Sequence, residues 1–379
     1  MNKQLDKIKM SSSIAVKEKY SKHQKKDKTL IDLTLGEPFF STSERIINRC
    51  IEELKKGNTH YSTGKGDLEL RKQILCKNNL SVLNENNILI TLGAKYGIYL
   101  ALQSILNPDD TVMIFNPSWV SYKPMIKLNY GNIIEINLLD SNNYEITLEI
   151  LENHYDTNLK AIIINNPNNP TGKILSRNEM ENIVSFAKKY KLFIIADEVY
   201  NEIIYDHNYI SFLEYFNFYD HIIIINSFSK CYAMTGWRIG YIISNYEIIS
   251  KCEIIQSHSI TGVSPFIQKA ALESLKNDKE IFQMNNYYYH NLRDLVPAIN
   301  SIPTLHCSFP MGGFYLWVKC SNKNINLFEY FLNNFSILGI PGINYGDKYS
   351  NYIRLSASVS PSQKEKAIMH INEYLKNNR

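Results

Sequence analysis

The sequence predicts an α/β fold: a mainly parallel, seven-stranded sheet in a large domain, with a smaller α+β domain built from both chain ends. Three observations predict it. Seven short apolar runs recur along residues 88–243, separated by loops of small or polar residues and by helical stretches. The runs are continuous in Ile, Val, Leu and Phe, the pattern of strands covered on both faces and hence of a parallel sheet between helix layers. Past about Ser257 the character changes to long helical stretches and isolated strand-like runs, and 379 residues suffice for two units at roughly 100 to 200 per domain.

Taken in order, residues 3–26 read as an amphipathic helix running into a basic stretch, Lys17 to Lys28, which reads as a solvated face because no aromatic residues are interleaved with the charge. Leu30–Leu33 reads as a short strand, and Pro38 with Gly36 marks the irregular segment after it. Ser43–Lys56 is expected to be a helix capped by Ser43, followed by a polar loop, Asn58–Asp67, and a second helix. The seven strands are expected at Ile88–Leu92, Val112–Phe115, Ile133–Ile136, Ala161–Ile164, Leu192–Ala196, Ile222–Ile225 and Ile239–Ile243. Helices are expected at Ser264–Leu275, Asp278–Leu295, Leu327–Asn334 and Ser362–Lys376, and strands at Gly313–Val318 and Tyr352–Ser356. This places the large domain at residues 36–275 and the small one at 1–35 with 276–379.

Composition excludes several classes. Hydrophobic residues make up 44% and charged residues 21%, which is the mixture of a folded chain. The net charge of +4 is too small to mark a nucleic-acid surface. None of the six cysteines forms a C-x-x-C pair, so no zinc site or disulfide framework is expected. The longest charge-free stretch, Leu295–Val318, is broken by Pro297, Pro303, Pro310, Gly312 and Gly313, and the first residues lack the apolar core of a signal peptide. A cytoplasmic protein with no membrane and no nucleic-acid partner is expected.

In a parallel sheet the chemistry collects just past the carboxyl ends of the strands. The residues there are Gly93-Ala94-Lys95, opening a helix; Asn116-Pro117-Ser118-Trp119; Asn165 to Gly172; Asp197-Glu198-Val199-Tyr200; and Ser227-Phe228-Ser229-Lys230, with Arg238 eight positions on. Gly64-Lys65 and Gly172-Lys173 are not P-loops, because Thr59 and Pro167 occupy the place of the required earlier glycine. Gly64-Lys65-Gly66 is not a dinucleotide fingerprint either, since Glu69 stands where the third glycine belongs. A lysine, an aspartate, two serines, a tyrosine, asparagines, an aromatic ring and an arginine remain, the set that pyridoxal phosphate needs. That cofactor carries a phosphate dianion, a pyridine nitrogen to be kept protonated, a phenolic oxygen, and an aldehyde that a lysine can hold as a Schiff base.

In these segments the chain resembles the pyridoxal-phosphate-dependent aspartate aminotransferase family, the class I/II aminotransferases of fold type I. The resemblance runs from Leu35-Gly36-Glu37-Pro38 through Asn165–Gly172, Ala196–Tyr200 and Ser227–Tyr241 to Arg354-Leu355-Ser356-Ala357. It implies that Lys230 carries the cofactor and moves the substrate's α-proton, that Asp197 faces the pyridine nitrogen, and that Tyr200 and Asn169 bond the phenolic oxygen. It further implies that Ser227, Ser229, Arg238 and the amides of Ala94 and Lys95 bind the phosphate, and that Trp119 stacks on the ring. Arg354 would grip the substrate α-carboxylate, with the Gly36 backbone beside it and Trp119 and Asn169 also lining the substrate site. Tyr61 would reach the phosphate of a neighbouring subunit, so a homodimer with shared active sites is implied.

The resemblance implies a ping-pong transaminase that takes an amino group from an aspartate-type or aromatic L-amino acid and gives it to a 2-oxo acid such as 2-oxoglutarate. The rival of the same fold is an enzyme of α,β-elimination or cyclisation, such as a C–S lyase, which shares the first steps and residues. A non-catalytic relative would lack the lysine that Lys230 supplies. Pro341 to Gly346 departs from the family segment by Tyr345 in place of Phe, a change of local packing. His258, in Gln256–Thr261 where the family lines its pocket, takes no assigned role, and Lys65 reads as a solvated loop lysine.

Overall fold

The structure, a computed structural model, describes Leu5, Ile8 and residues 30–78, 82–205 and 209–377. The helix expected over 3–26 and the basic stretch Lys17 to Lys28 lie outside the described residues, apart from Leu5 and Ile8.

The strands are β1 (Ile31–Asp32), β2 (Ile88–Thr91), β3 (Thr111–Asn116), β4 (Asn132–Asn137), β5 (Leu159–Asn165), β6 (Phe193–Asp197), β7 (Ile222–Ser227) and β8 (Gly240–Ile243). They continue with β9 (Leu305–Cys307), β10 (Tyr315–Cys320), β11 (Ile337–Leu338), β12 (Ile340–Pro341) and β13 (Tyr352–Ser356). All seven expected apolar runs fall in one seven-stranded sheet of order β2-β8-β7-β6-β5-β3-β4. Every neighbouring pair is parallel except those made by β8, which is antiparallel to both β2 and β7.

Continuous apolar runs arise because both faces of this sheet are covered. Along β5, Ile162 and Ile164 enter one core and Ala161 and Ile163 the other; along β7, Ile222 and Ile224 part from Ile223 and Ile225 in the same way. Helices Gly93–Ile105 and Tyr246–Ser259 cover the second face, while Leu68–Lys77, Arg177–Tyr190 and Pro265–Ser274 cover the first.

A four-stranded antiparallel sheet, β12-β13-β10-β9, and the parallel pair β1-β11 form a separate core with helices Leu327–Phe335, Pro361–Asn377 and the C-terminal half of Lys279–Asn300. Both chain ends contribute to it, Ile31 and Leu33 from one and Phe331, Ile353 and Ile371 from the other.

Two of the expected helices differ in detail. Ser43 stands at the cap position of helix Glu44–Lys55 but makes no capping hydrogen bond, and its buried hydroxyl has no hydrogen-bond partner among the described residues. The helix expected to stop at Leu295 continues to Asn300 through Pro297, since Val296 and Ile299 are buried in the second core and a proline in the last turns removes only one amide.

The reversal of β8 forces a tight contact. Gly240 pairs with both Thr91 and Ser227, and a Cβ there would lie 2.6 Å from the carbonyl oxygen of Asn226 and 2.9 Å from the amide nitrogen of Ala94. Both neighbours are backbone and cannot yield separately. Gly240→Ala should therefore lower unfolding free energy by about 1–3 kcal/mol in a denaturant titration, and an unchanged midpoint would contradict the contact.

Candidate active site

Because β8 runs against its neighbours, its amino-terminal end lies on the same edge of the sheet as the carboxyl ends of β2, β3, β5, β6 and β7. Arg238 precedes β8 and so joins the residues that follow the other strands. A cavity of about 910 Å³ opens there, lined by Gly36, Ala94, Lys95, Trp119, Asn169, Asp197, Tyr200, Ser227, Ser229, Lys230, Arg238 and Arg354. Every site residue expected from the sequence except Tyr61 is in that wall.

Asp197 ends β6 and is buried. Its Oδ2 accepts a 2.6 Å hydrogen bond from the Tyr122 hydroxyl, while its Oδ1 has no partner. Burial pushes its carboxyl up to about 6, against the opposing pull of Tyr122, the Val199 backbone and the Lys230 charge. An orphaned carboxylate oxygen aimed into a cavity suits a protonated ring nitrogen. Asn165, at the end of β5, ties this strand to the next: its amide donates to the Asp197 carbonyl at 2.9 Å and its oxygen accepts from the Asn169 amide at 2.7 Å.

Lys230 sits in the short helix Phe228–Cys231 after β7 and donates to the carbonyl of Gly36. Burial and the guanidinium groups of Arg354 and Arg238 push its amine down to about 8, outweighing Glu37 and Asp197. About a tenth is then unprotonated at pH 7, far more than for an ordinary lysine, as a nucleophilic amine requires.

Opposite, the helix Gly93–Ile105 presents its first amides beside Ser227, Ser229 and Arg238. The Ser227 oxygen accepts from the Ser229 amide at 3.2 Å, and Arg238 donates to the carbonyls of Thr235 at 2.7 Å and Leu92 at 3.3 Å. Gly93, at φ +79°, has no room for a side chain, since a Cβ would lie 2.7 Å from Nη2 of Arg238. Amide dipoles, hydroxyls and an arginine without a carboxylate partner among the described residues could cradle a phosphate dianion.

Arg354 projects from β13, whose neighbours are β10 and β12, and is 3% exposed. Its Nη1 donates to the Asn169 side-chain oxygen at 3.1 Å, its Nη2 donates to the Thr34 carbonyl at 2.9 Å, and its centre lies 4.2 Å from the middle of the Tyr315 ring. Among the described residues no carboxylate pairs with it. Trp119 packs edge-on against Tyr122 at 5.3 Å, with the Lys95 ammonium 5.1 Å from the centre of its ring.

Three groups had no clear signal in the sequence. Tyr122 lies three positions after Trp119, a helical-turn spacing that would have hinted at a shared site. Tyr315, whose hydroxyl meets that of Tyr200 at 2.9 Å, and the carbonyl of Thr34 are brought in only by tertiary packing.

Tyr61 is 90% exposed and lies outside the cavity, as does the exposed His258. The neighbour of His258 that matters to packing is buried Gln256, which donates to the carbonyls of Gly64 at 3.0 Å and Ile90 at 2.9 Å. Lys65 is not the solvated lysine expected: its side chain is only 15% exposed, 3.6 Å from Glu253 and over the Tyr246 ring, because the loop folds onto helix Tyr246–Ser259.

A lysine, an unpaired carboxylate oxygen, a cluster of amides, hydroxyls and an arginine, and a second unpartnered arginine around one cavity could hold a pyridoxal phosphate. The comparisons agree with the geometry. The model of the aminotransferase class I and II family matches residues 28–371. The aspartate aminotransferase of Thermotoga maritima is 31% identical over 99% of both chains, and its solved structure superimposes with a TM-score of 0.92 over 99% of this chain and 100% of that one. The aromatic-amino-acid aminotransferase 2 of Thermococcus litoralis is 31% identical over 92% of both.

The chain belongs to the class I and II aminotransferases and is a transaminase of the fold type I architecture. Members of this family use pyridoxal phosphate.

The raised Asp197 makes a prediction of definite sign. With a folded pKa near 6 and an unfolded one of about 3.9, the cofactor-free protein binds the extra proton when folded, so stability falls as pH rises between those values. Cofactor-free Asp197→Asn should unfold later than the parent at pH 7.5, by up to about 3 kcal/mol, with the gain nearly gone at pH 4. A gain independent of pH, or none, would contradict it.

Proposed function

We propose that the chain binds pyridoxal phosphate in this cavity and moves an amino group from an aspartate-type or aromatic L-amino acid to a 2-oxo acid such as 2-oxoglutarate. The observation that carries the reading is the pair Lys230 and Arg354 in one cavity, an amine of lowered pKa and a buried guanidinium held only by neutral groups. The cofactor, when bound, supplies an electron sink for charge developing at the substrate α-carbon.

Lys230 would hold the cofactor aldehyde and, once displaced by substrate, carry the proton from the α-carbon. Asp197 would keep the pyridine nitrogen protonated through its free Oδ1, and Tyr122 would hold the opposite oxygen in place. Tyr200 and Asn169 would donate to the phenolic oxygen, and Trp119 would lie on the ring. The Ala94 and Lys95 amides, Ser227, Ser229 and Arg238 would hold the phosphate. Arg354 would take the α-carboxylate of both substrates, with the Gly36 backbone beside it, which is why simple amines should fail: they leave a buried cation unpaired, at a loss of several kcal/mol.

Side-chain choice is supported by what is left over. The Lys95 ammonium has no carboxylate partner among the described residues, which suits a second carboxylate, and the Trp119 ring suits aromatic side chains. The relatives' names point to the same two classes. Tyr61, exposed on its loop, suits a residue lent to the active site of a second copy, so the working unit is a homodimer. Its six free cysteines suit the reducing cytoplasm, and among the described residues no helix is long and apolar enough to cross a membrane. Two separate cores support a division close to the expected 36–275 and 1–35 with 276–379, with Ile281 packing in the large core and residues from Leu292 on in the small one.

Single amino acids, mixed with holoenzyme in the absence of any 2-oxo acid, test the reading through the visible absorbance of the cofactor. Aspartate, glutamate or an aromatic acid should convert it stoichiometrically to the pyridoxamine form. Conversion by none of these, or release of pyruvate and ammonia, would overturn it. Arg354→Lys should raise KM for both donor and acceptor at least about tenfold while retaining the cofactor, because a bidentate fork becomes a point charge.

A further inference from the structure

Tyr315 has no place in the roles assigned so far, yet it touches both halves of the site. It projects from β10 beside β13, is 1% exposed, and lies in the cavity wall between Arg354 and Tyr200. Its hydroxyl meets the Tyr200 hydroxyl at 2.9 Å, and its ring face carries the Arg354 guanidinium at 4.2 Å. The two rings stand edge to face at 5.8 Å, and Phe314 packs against both, so neither hydroxyl is free to swing away. A Cβ on Gly36 would lie 3.4 Å from the Tyr315 hydroxyl and 3.9 Å from Nη2 of Arg354, so the Gly36 backbone lies beside both groups in the cavity wall.

We propose that Tyr315 is a positioning residue that joins the carboxylate clamp to the cofactor: its hydroxyl donates to the Tyr200 oxygen, leaving the single Tyr200 proton for the cofactor's phenolic oxygen, while its ring face fixes Arg354. Hydrogen-bond arithmetic requires this direction. Each phenol has one proton, and if Tyr200 spends its proton on the cofactor, the bond between the two hydroxyls can be made only by the proton of Tyr315. A donor to a donor polarises it, so Tyr200 becomes a stronger hydrogen-bond donor than an isolated phenol. The ring acts separately, as a neutral face that holds a buried guanidinium without competing for the carboxylate it must bind.

This rests on the assignment of Tyr200 to the phenolic oxygen, and the test separates the two. A donor to that oxygen holds negative charge on it and lowers the proton affinity of the adjacent, lysine-linked nitrogen. Removing the donor raises the pH at which the visible band of the bound cofactor titrates.

Holoenzyme titrations should be run on the parent, Tyr200→Phe, Tyr315→Phe and the double variant. Tyr200→Phe should raise the apparent pKa by about one unit and Tyr315→Phe by about half as much, with no further rise when Tyr315→Phe is added to Tyr200→Phe. In steady state, Tyr315→Phe should keep KM for donor and acceptor within about twofold, whereas Tyr315→Leu, which loses the ring, should raise both about tenfold. A shift in Tyr200→Phe with none in Tyr315→Phe overturns the proposal and leaves Tyr200 where it is. No shift in either overturns both. Equal KM increases in Tyr315→Phe and Tyr315→Leu without a spectral shift reduce Tyr315 to packing and overturn the proposal as well.

Discussion

Arg354 is buried, and the groups placed against its guanidinium are neutral: the amide oxygen of Asn169, the carbonyl of Thr34 and the rings of Tyr315 and Tyr345. A buried cation without an anion is among the most costly arrangements a folded chain can hold, by several kcal/mol, unless an anion arrives to complete it. The surrounding structure holds that cation with neutral acceptors and an aromatic face. β13 places it between two antiparallel neighbours, the Thr34 segment from the start of the chain supplies a carbonyl, and Asn169 reaches it from the end of β5.

The same imbalance runs through the cavity. Lys95, Lys230, Arg238 and Arg354 face only Glu37 and Asp197, so the wall carries an excess of positive charge that suits anionic ligands. What lets five strand ends and one strand beginning meet there is the reversal of β8, which brings Arg238 to the edge where the parallel strands finish. Gly240 and Gly93 are the local conditions for that meeting, one because strands must touch backbone to backbone, the other because the arginine lies against its α-carbon.

Much of this was legible in the sequence, and for identifiable reasons. Burial on both faces writes unbroken runs such as Ile222–Ile225, so the seven-stranded sheet could be read directly. Lys230, Asp197 and Arg238 follow strands at fixed spacings, so their convergence could be read too, and the cavity contains them. Short edge elements such as β9, β11 and β12 have too few residues to leave a periodicity, and they were missed. Lys65 departs from the sequence reading because its surroundings are tertiary: helix Tyr246–Ser259 covers it. Tyr122 and Tyr315 act through other side chains, and a residue whose role is to hold another leaves no motif of its own.

The account turns on Lys230 as the amine that carries the cofactor. Borohydride reduction of the holoenzyme, followed by digestion and mass mapping, fixes the cofactor permanently to whichever lysine holds it. The account predicts a single pyridoxyl adduct in the peptide containing Lys230; an adduct on Lys95 or any other lysine, or none at all, would contradict it.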